Sequence, residues 1–165
     1  MPENTTTPLD IPELRVPFVF RSRPVSIPAD LRPAWRIGLI VLLLKKCCRQ
    51  GRSSLTRLHV LSWGFVSPDG RQQLLAAATG TLFPDSLLVR FEPFLLQAVD
   101  YAVGEGLVRR ADGGTIELME RGKRLADELE ANETAFTAEK SVMGTIRTRI
   151  TESLVKQMFG WRQDA

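Results

Sequence analysis

Apolar residues along this chain fall into blocks whose spacing changes repeatedly, and each change predicts a different element. After Pro33, Trp35, Ile37 and the run Leu39-Ile40-Val41-Leu42-Leu43-Leu44 predict a helix to about residue 50, with proline suited to its first turn and Gly51 placed to end it. Its middle is apolar nearly all round, which implies deep burial. Ser53 or Ser54 is positioned to cap a second helix holding Leu55, Leu58, His59, Leu61 and Trp63. Pro68-Asp69-Gly70 turns the chain into a third helix, around 72–78.

Beyond Thr79-Gly80-Thr81 the pattern shortens, and Leu87-Leu88-Val89-Arg90-Phe91 reads as a strand of a small sheet. Pro93 opens another helix, in which Phe94, Leu95, Ala98, Tyr101 and Ala102 keep three and four spacing, with Gly104 and Gly106 around its end. Leu107-Val108-Arg109-Arg110 and Thr115-Ile116-Glu117-Leu118 alternate or nearly so, and Asp112-Gly113-Gly114 between them supplies the positive-φ positions of a hairpin turn. Helical spacing resumes at Glu120 and runs to about Phe159 as one long helix or two, interrupted near Asn132-Glu133 or Gly144. Helix, hairpin, helix is how a winged-helix domain ends. The fold class expected is mainly α with a small β-wing: a winged helix-turn-helix over 34–130, an extended arm over 1–33 and a helical extension over 131–165.

The arm carries prolines at 2, 8, 12, 17, 24, 28 and 33, a density that breaks helices and removes backbone donors. Val16-Pro17-Phe18-Val19-Phe20 is too apolar for a free linker, so Phe18 and Phe20 are expected against the domain or a partner. The apolar positions of the last segment, Ile146, Ile150, Leu154, Val155, Met158 and Phe159, form a stripe that offers a second docking surface, with Trp161 beyond it.

Charge is mild overall, 22 Lys+Arg against 19 Asp+Glu, but uneven. From Arg15 to Arg57 the only acid is Asp30. Lys45, Lys46, Arg49 and Arg52 therefore have two readings of equal standing: non-specific DNA contact, or cations completing a helix C-terminus against its dipole. Arg109 and Arg110 on the hairpin could touch phosphate or be solvated edge residues. The helix just before the hairpin, 92–105, is where a winged helix reads DNA, yet it contains Glu92, Asp100 and Glu105 and neither Arg nor Lys.

Catalysis finds little to work with. His59 is the single histidine and sits between Leu58 and Val60, the acids are scattered, and no phosphate-loop or dinucleotide fingerprint appears. The cysteines are two, Cys47 and Cys48, adjacent and so pointing apart on a helix; they read as reduced thiols of a cytoplasmic protein, and no zinc-ligand spacing occurs. No apolar run reaches the roughly 20 residues of a spanning helix, and the first residues do not read as a signal peptide. The expectation is a non-enzyme with no cofactor, no metal and no membrane span.

Phe91 to Val108, with Glu92-Pro93 opening a helix and Gly106-Leu107-Val108 leading into the hairpin, followed by Gly122 in the next helix, resembles the winged-helix middle components of bacterial ABC three-component systems. Arg21-Ser22-Arg23-Pro24 leading into an apolar helix is also similar to that family, whereas Met119 stands where the family has threonine. The resemblance implies a non-enzymatic adaptor bridging an SMC-like ABC ATPase and an effector in anti-phage or anti-plasmid defence of the Lamassu type. The residues themselves point to the arm (Phe18, Phe20, Arg21, Arg23) and the carboxy-terminal helix (Ile150, Leu154, Met158, Phe159, Trp161) as the docking surfaces, and leave open non-specific DNA contact within the complex and a homodimer. The alternative is a winged-helix DNA-binding transcriptional regulator.

Overall fold

Six consecutive residues, Leu39 to Leu44, are at most 1% exposed, so helix α1 (Pro33–Cys47) has no side in its middle turns that can face water. The computed structural model describes residues 28, 31–90 and 92–159; the arm residues Phe18, Phe20, Arg21 and Arg23, and also Phe91 and Trp161, lie outside them. After α1 come β1 (Arg52–Ser54), α2 (Leu55–Val66), α3 (Pro68–Thr79), α4 (Pro93–Gly104), β2 (Val108–Ala111), β3 (Thr115–Leu118), α5 (Glu120–Ala131), α6 (Thr137–Ile146) and α7 (Glu152–Phe159). Helices α2, α4, α5 and α6 and strand β3 all pack on α1. The molecule is mostly helical, with one small antiparallel sheet.

Local chemistry explains most boundaries. Ser54 Oγ accepts the Arg57 N–H at 3.0 Å and caps α2, and Ser67 Oγ accepts the Gly70 N–H at 3.0 Å, so α3 starts at Pro68 rather than near 72. Helix α1 stops at Cys47, three residues before the expected end, where Cys48 turns extended (φ −118°, ψ 138°), and Gln50 and Gly51 beyond it take positive φ (55° and 68°). The hairpin turn uses Gly113 and Gly114 at φ 72° and 74°.

The sheet has the order β1-β3-β2. Its third strand is Arg52–Ser54, not the expected 87–91. Residues Leu87 and Val89 are buried and Leu88 and Arg90 exposed, so the alternation there does mark a half-buried extended segment. That segment lies against α2, where His59 Nε2 is 3.2 Å from the Arg90 carbonyl, and the edge of β3 it would need is occupied by β1.

The last segment forms three helices rather than one or two. Asn132 Oδ1 accepts the backbone N–H groups of Thr134 and Ala135 at 2.9 and 3.0 Å, an Asx turn that ends α5 where the break was expected. The second break falls at Arg147, φ 45°, three residues past Gly144. Phe136, also at positive φ, stacks on Trp35 with ring centroids 5.6 Å apart. Met143, Ile146, Ile150, Val155 and Met158 enter the same hydrophobic cluster as α1, so the carboxy-terminal stripe faces inward.

Gly122 shows why α5 leaves the sheet as it does. A Cβ there would overlap the Leu107 carbonyl oxygen and sit 2.6 Å from Leu118 Cδ1, and that same oxygen accepts the Met119 N–H at 2.9 Å. The first turn of α5 therefore rests directly on the backbone entering the hairpin. Gly122→Ala is expected to lower the unfolding free energy by about 1–3 kcal/mol in urea titration, as overpacking against rigid backbone does. An unchanged midpoint would contradict the close approach.

Candidate functional site

Two buried arginines, Arg36 of α1 and Arg57 of α2, stand at opposite ends of α1 and place the molecule's surfaces. At the amino end, Arg36 is 5% exposed and pairs with Glu92, the residue before α4. The other carboxylate oxygen of Glu92 accepts from Ser62 Oγ at 3.1 Å, and the Glu92 N–H lies 3.1 Å from His59 Nε2. Glu92 is thus turned inward, which corrects its reading as an acid facing a duplex. At the carboxy end, Arg57 is 6% exposed; its Nε donates to the Ile150 carbonyl at 2.6 Å and an Nη to the Cys47 carbonyl at 2.7 Å. These ties lock α4 to one end of α1 and the turn before α7 to the other.

The tie through Glu92 fixes which face of α4 is outward. Leu95, Ala98, Val99 and Ala102 are buried, while Phe94 and Tyr101 are 50% and 46% exposed. Sequence spacing had assigned Phe94 and Tyr101 to the same stripe as Leu95 and Ala102; the structure separates two stripes one residue apart. Phe94, Gln97 and Tyr101 project from successive turns and, with Leu31 and Pro33, line a shallow groove. Gln97 Nε2 donates to Tyr101 Oη at 3.2 Å, and the Arg36 guanidinium lies 5.3 Å from the centre of the Phe94 ring.

The basic residues singled out from sequence divide into paired and open sets. Lys45 and Lys46 stand in the last turn of α1, as the helix C-terminus reading has them, and there Lys45 pairs with Asp127 and Lys46 with Glu130 across to α5, so they also clamp two helices together. The Lys46 hydrogen bond holds the Glu130 carboxyl below its ordinary range. On the hairpin, Arg109 pairs with Glu117 at 2.6 Å, and Arg110 reaches Asp100 of α4 at 2.5 Å. Arg49 and Arg52 are exposed. Of the expected docking stripe, Ile150 and Met158 are buried and Leu154 and Phe159 half-buried against the core.

Cys47 and Cys48 are free and buried. Burial first, and the neighbouring Cys48 second, push the Cys47 thiol up to about 12, and burial raises Cys48 as well. Among the described residues no group of three or more His, Cys, Asp or Glu side chains is placed to hold a metal ion. No described helix is long and apolar enough to cross a membrane.

Arg36, Arg57 and the inward role of Glu92 escaped sequence reasoning, since each looks like an ordinary surface charge; the one available signal was a charged residue inside an otherwise apolar helical stripe. Compared with protein-family models, curated proteins and solved structures, the chain matches none.

Two outcomes follow from this geometry. Arg36→Met leaves the Glu92 carboxylate buried without its cation and is expected to cost about 3–5 kcal/mol; adding Glu92→Gln should restore part of that loss in the same denaturation assay, and strict additivity would contradict the pairing. At pH 8 the folded chain should react with a thiol reagent at neither cysteine within the mixing time, and at both once unfolded in guanidinium.

Proposed function

We propose that this chain is a non-enzymatic winged-helix adaptor that docks on an SMC-like ABC ATPase in a bacterial defence complex, with the outward face of α4 as its principal docking surface. The winged-helix reading rests on the order of elements, helix, strand, helices, then the α4-hairpin unit, and on the sheet order β1-β3-β2. The helix before the hairpin is the one that enters the major groove in DNA-binding members of that architecture. The adaptor reading rests on what this helix presents. From Glu92 to Glu105 it has no Arg or Lys; its exposed side chains are Pro93, Phe94, Gln97, Asp100, Tyr101, Val103 and Glu105.

That face is the observation on which the proposal stands. Aromatic side chains half-exposed in a row beside a groove suit the desolvated centre of a protein interface. Reading base edges calls for arginine, lysine or amides aimed outward, and neutralising phosphate calls for cations. The hairpin arginines do not supply the deficit, because Arg109 and Arg110 are each paired with an acid of the same chain. The identity of the partner as an SMC-like ATPase, and the effector beyond it, come from the resemblance in Glu92-Pro93, Gly106-Leu107-Val108 and Gly122. The placements of Glu92 and Gly122 give those motif residues physical tasks, orienting α4 and seating α5.

Co-expression of the tagged chain with the proteins encoded beside it tests the proposal. A long coiled-coil ATPase is expected to co-purify and to stay bound in high salt, and Phe94→Asp with Tyr101→Asp should release it while the variant keeps its fold by circular dichroism. If the double variant retains the ATPase, or if the chain purifies alone as a dimer that shifts one duplex sequence selectively, the DNA-binding regulator takes its place.

A further inference from the structure

At the far end of α1 from the α4 groove, two turns of unrelated sequence meet. Arg57 donates to the Cys47 and Ile150 carbonyls with one guanidinium, which brings the turn after α1 and the turn before α7 to the same point. The first turn carries Arg49 and leads into Arg52 at the start of β1, the second carries Arg147 and Arg149, and all four are exposed. Arg147 Nε donates to the Gly144 carbonyl at 3.1 Å, so part of its guanidinium caps α6. Arg49, Arg52 and Arg149 form no ion pair within the described residues.

Nearby acids offset only part of this charge: Glu152, hydrogen-bonded to the neutral Ser54, keeps its negative charge beside the arginines. Glu117 lies across the ladder from Arg52, but its carboxylate is held by Arg109 on the other neighbouring strand. Glu152 accepts the Ser54 N–H at 3.1 Å and Ser54 Oγ at 2.7 Å. Arg57 itself is buried between the turns with carbonyls rather than a carboxylate as partners, so its positive charge adds to the patch. Both turns are also strained: Gln50 sits at φ 55° and Arg147 at φ 45° with ψ −129°, conformations that residues with a side chain rarely adopt. Strain of this kind persists where the surroundings over-determine it, often at a binding surface.

We propose that Arg49, Arg52 and Arg149 form a site for the phosphate backbone of duplex DNA, bound without sequence preference. An acidic protein is the less suitable ligand. Protein interfaces have an apolar centre, and every exposed large apolar side chain of the described residues lies outside 45–57 and 146–156. A charged patch with no such centre fits a regularly spaced polyanion. The site lies eleven residues along α1 from Arg36, about 16 Å at the helical rise, so it is separate from the α4 groove and does not depend on the adaptor reading. Lys45, Lys46 and Arg110 are not part of it, because each is paired within the chain.

The test is fluorescence anisotropy of the full chain with two unrelated duplexes of about 30 base pairs, titrated with salt from about 50 mM upward. Both duplexes should bind equally, and R49Q/R52Q/R149Q should weaken binding more than about tenfold and lower the slope of log K against log salt by about 2 to 3. R121Q/K123Q/R124Q removes the same charge from the exposed face of α5 and should leave the slope unchanged. The proposal is overturned if the wild-type chain does not bind, if the two triple variants weaken binding alike, or if one duplex is preferred by more than about tenfold, which indicates base reading.

Discussion

A helix that is apolar on every side must be enclosed, and the need to enclose the middle of α1 organises the rest of this protein. Leu39 to Leu44 each remove a large aliphatic side chain from water, at about 1.5–3 kcal/mol apiece relative to exposure. No single neighbouring helix can cover that circumference. Helices α2, α4, α5 and α6 and strand β3 divide it among them, so the carboxy-terminal segment belongs to the same hydrophobic cluster as the middle of α1.

Enclosure leaves polar requirements only at the two ends, and the buried arginines answer them. Arg36 reaches from the first turns of α1 to Glu92 and so decides the rotation of α4. With Leu95, Ala98, Val99 and Ala102 turned in, Phe94 and Tyr101 have to point out. Arg57 takes the carbonyl of Cys47 at the negative end of α1 and joins it to Ile150. The packing of one helix thereby fixes, at one end, an aromatic face of α4 that has no Arg or Lys of its own, and at the other an arginine-bearing pair of turns. In the last turn of α1, at that second end, Lys45 and Lys46 bind α5 through Asp127 and Glu130.

Much of this was legible in the residues. The all-round apolar run, Pro93 as a helix start, the Asp112-Gly113-Gly114 hairpin and the break at Asn132 each depend on local chemistry that the chain carries within a few positions. Strand β1 was not legible, because Arg52-Ser53-Ser54 has no apolar member and exists through its ladder to β3. Residues 87–90 looked more like a strand than β1 does, yet a sheet edge is a long-range resource and β1 holds it. The outward face of α4 was obscured by two interleaved stripes, 94/97/101 and 95/98/102, that satisfy the same helical spacing; only the Glu92 tie chooses between them. The ion pairs of Lys45, Lys46 and Arg110 join residues 10 to 84 positions apart, and no local pattern announces them.

The central claim is that the face of α4 is covered by a protein partner, and side-chain oxidation by hydroxyl radicals reads that face directly because its aromatic residues are among the most reactive. With the ATPase bound, Phe94 and Tyr101 should be protected from oxidation while Phe83, exposed on a different element, keeps its reactivity. Unchanged oxidation of Phe94 and Tyr101 in the complex, or their protection by duplex DNA alone, would contradict the account.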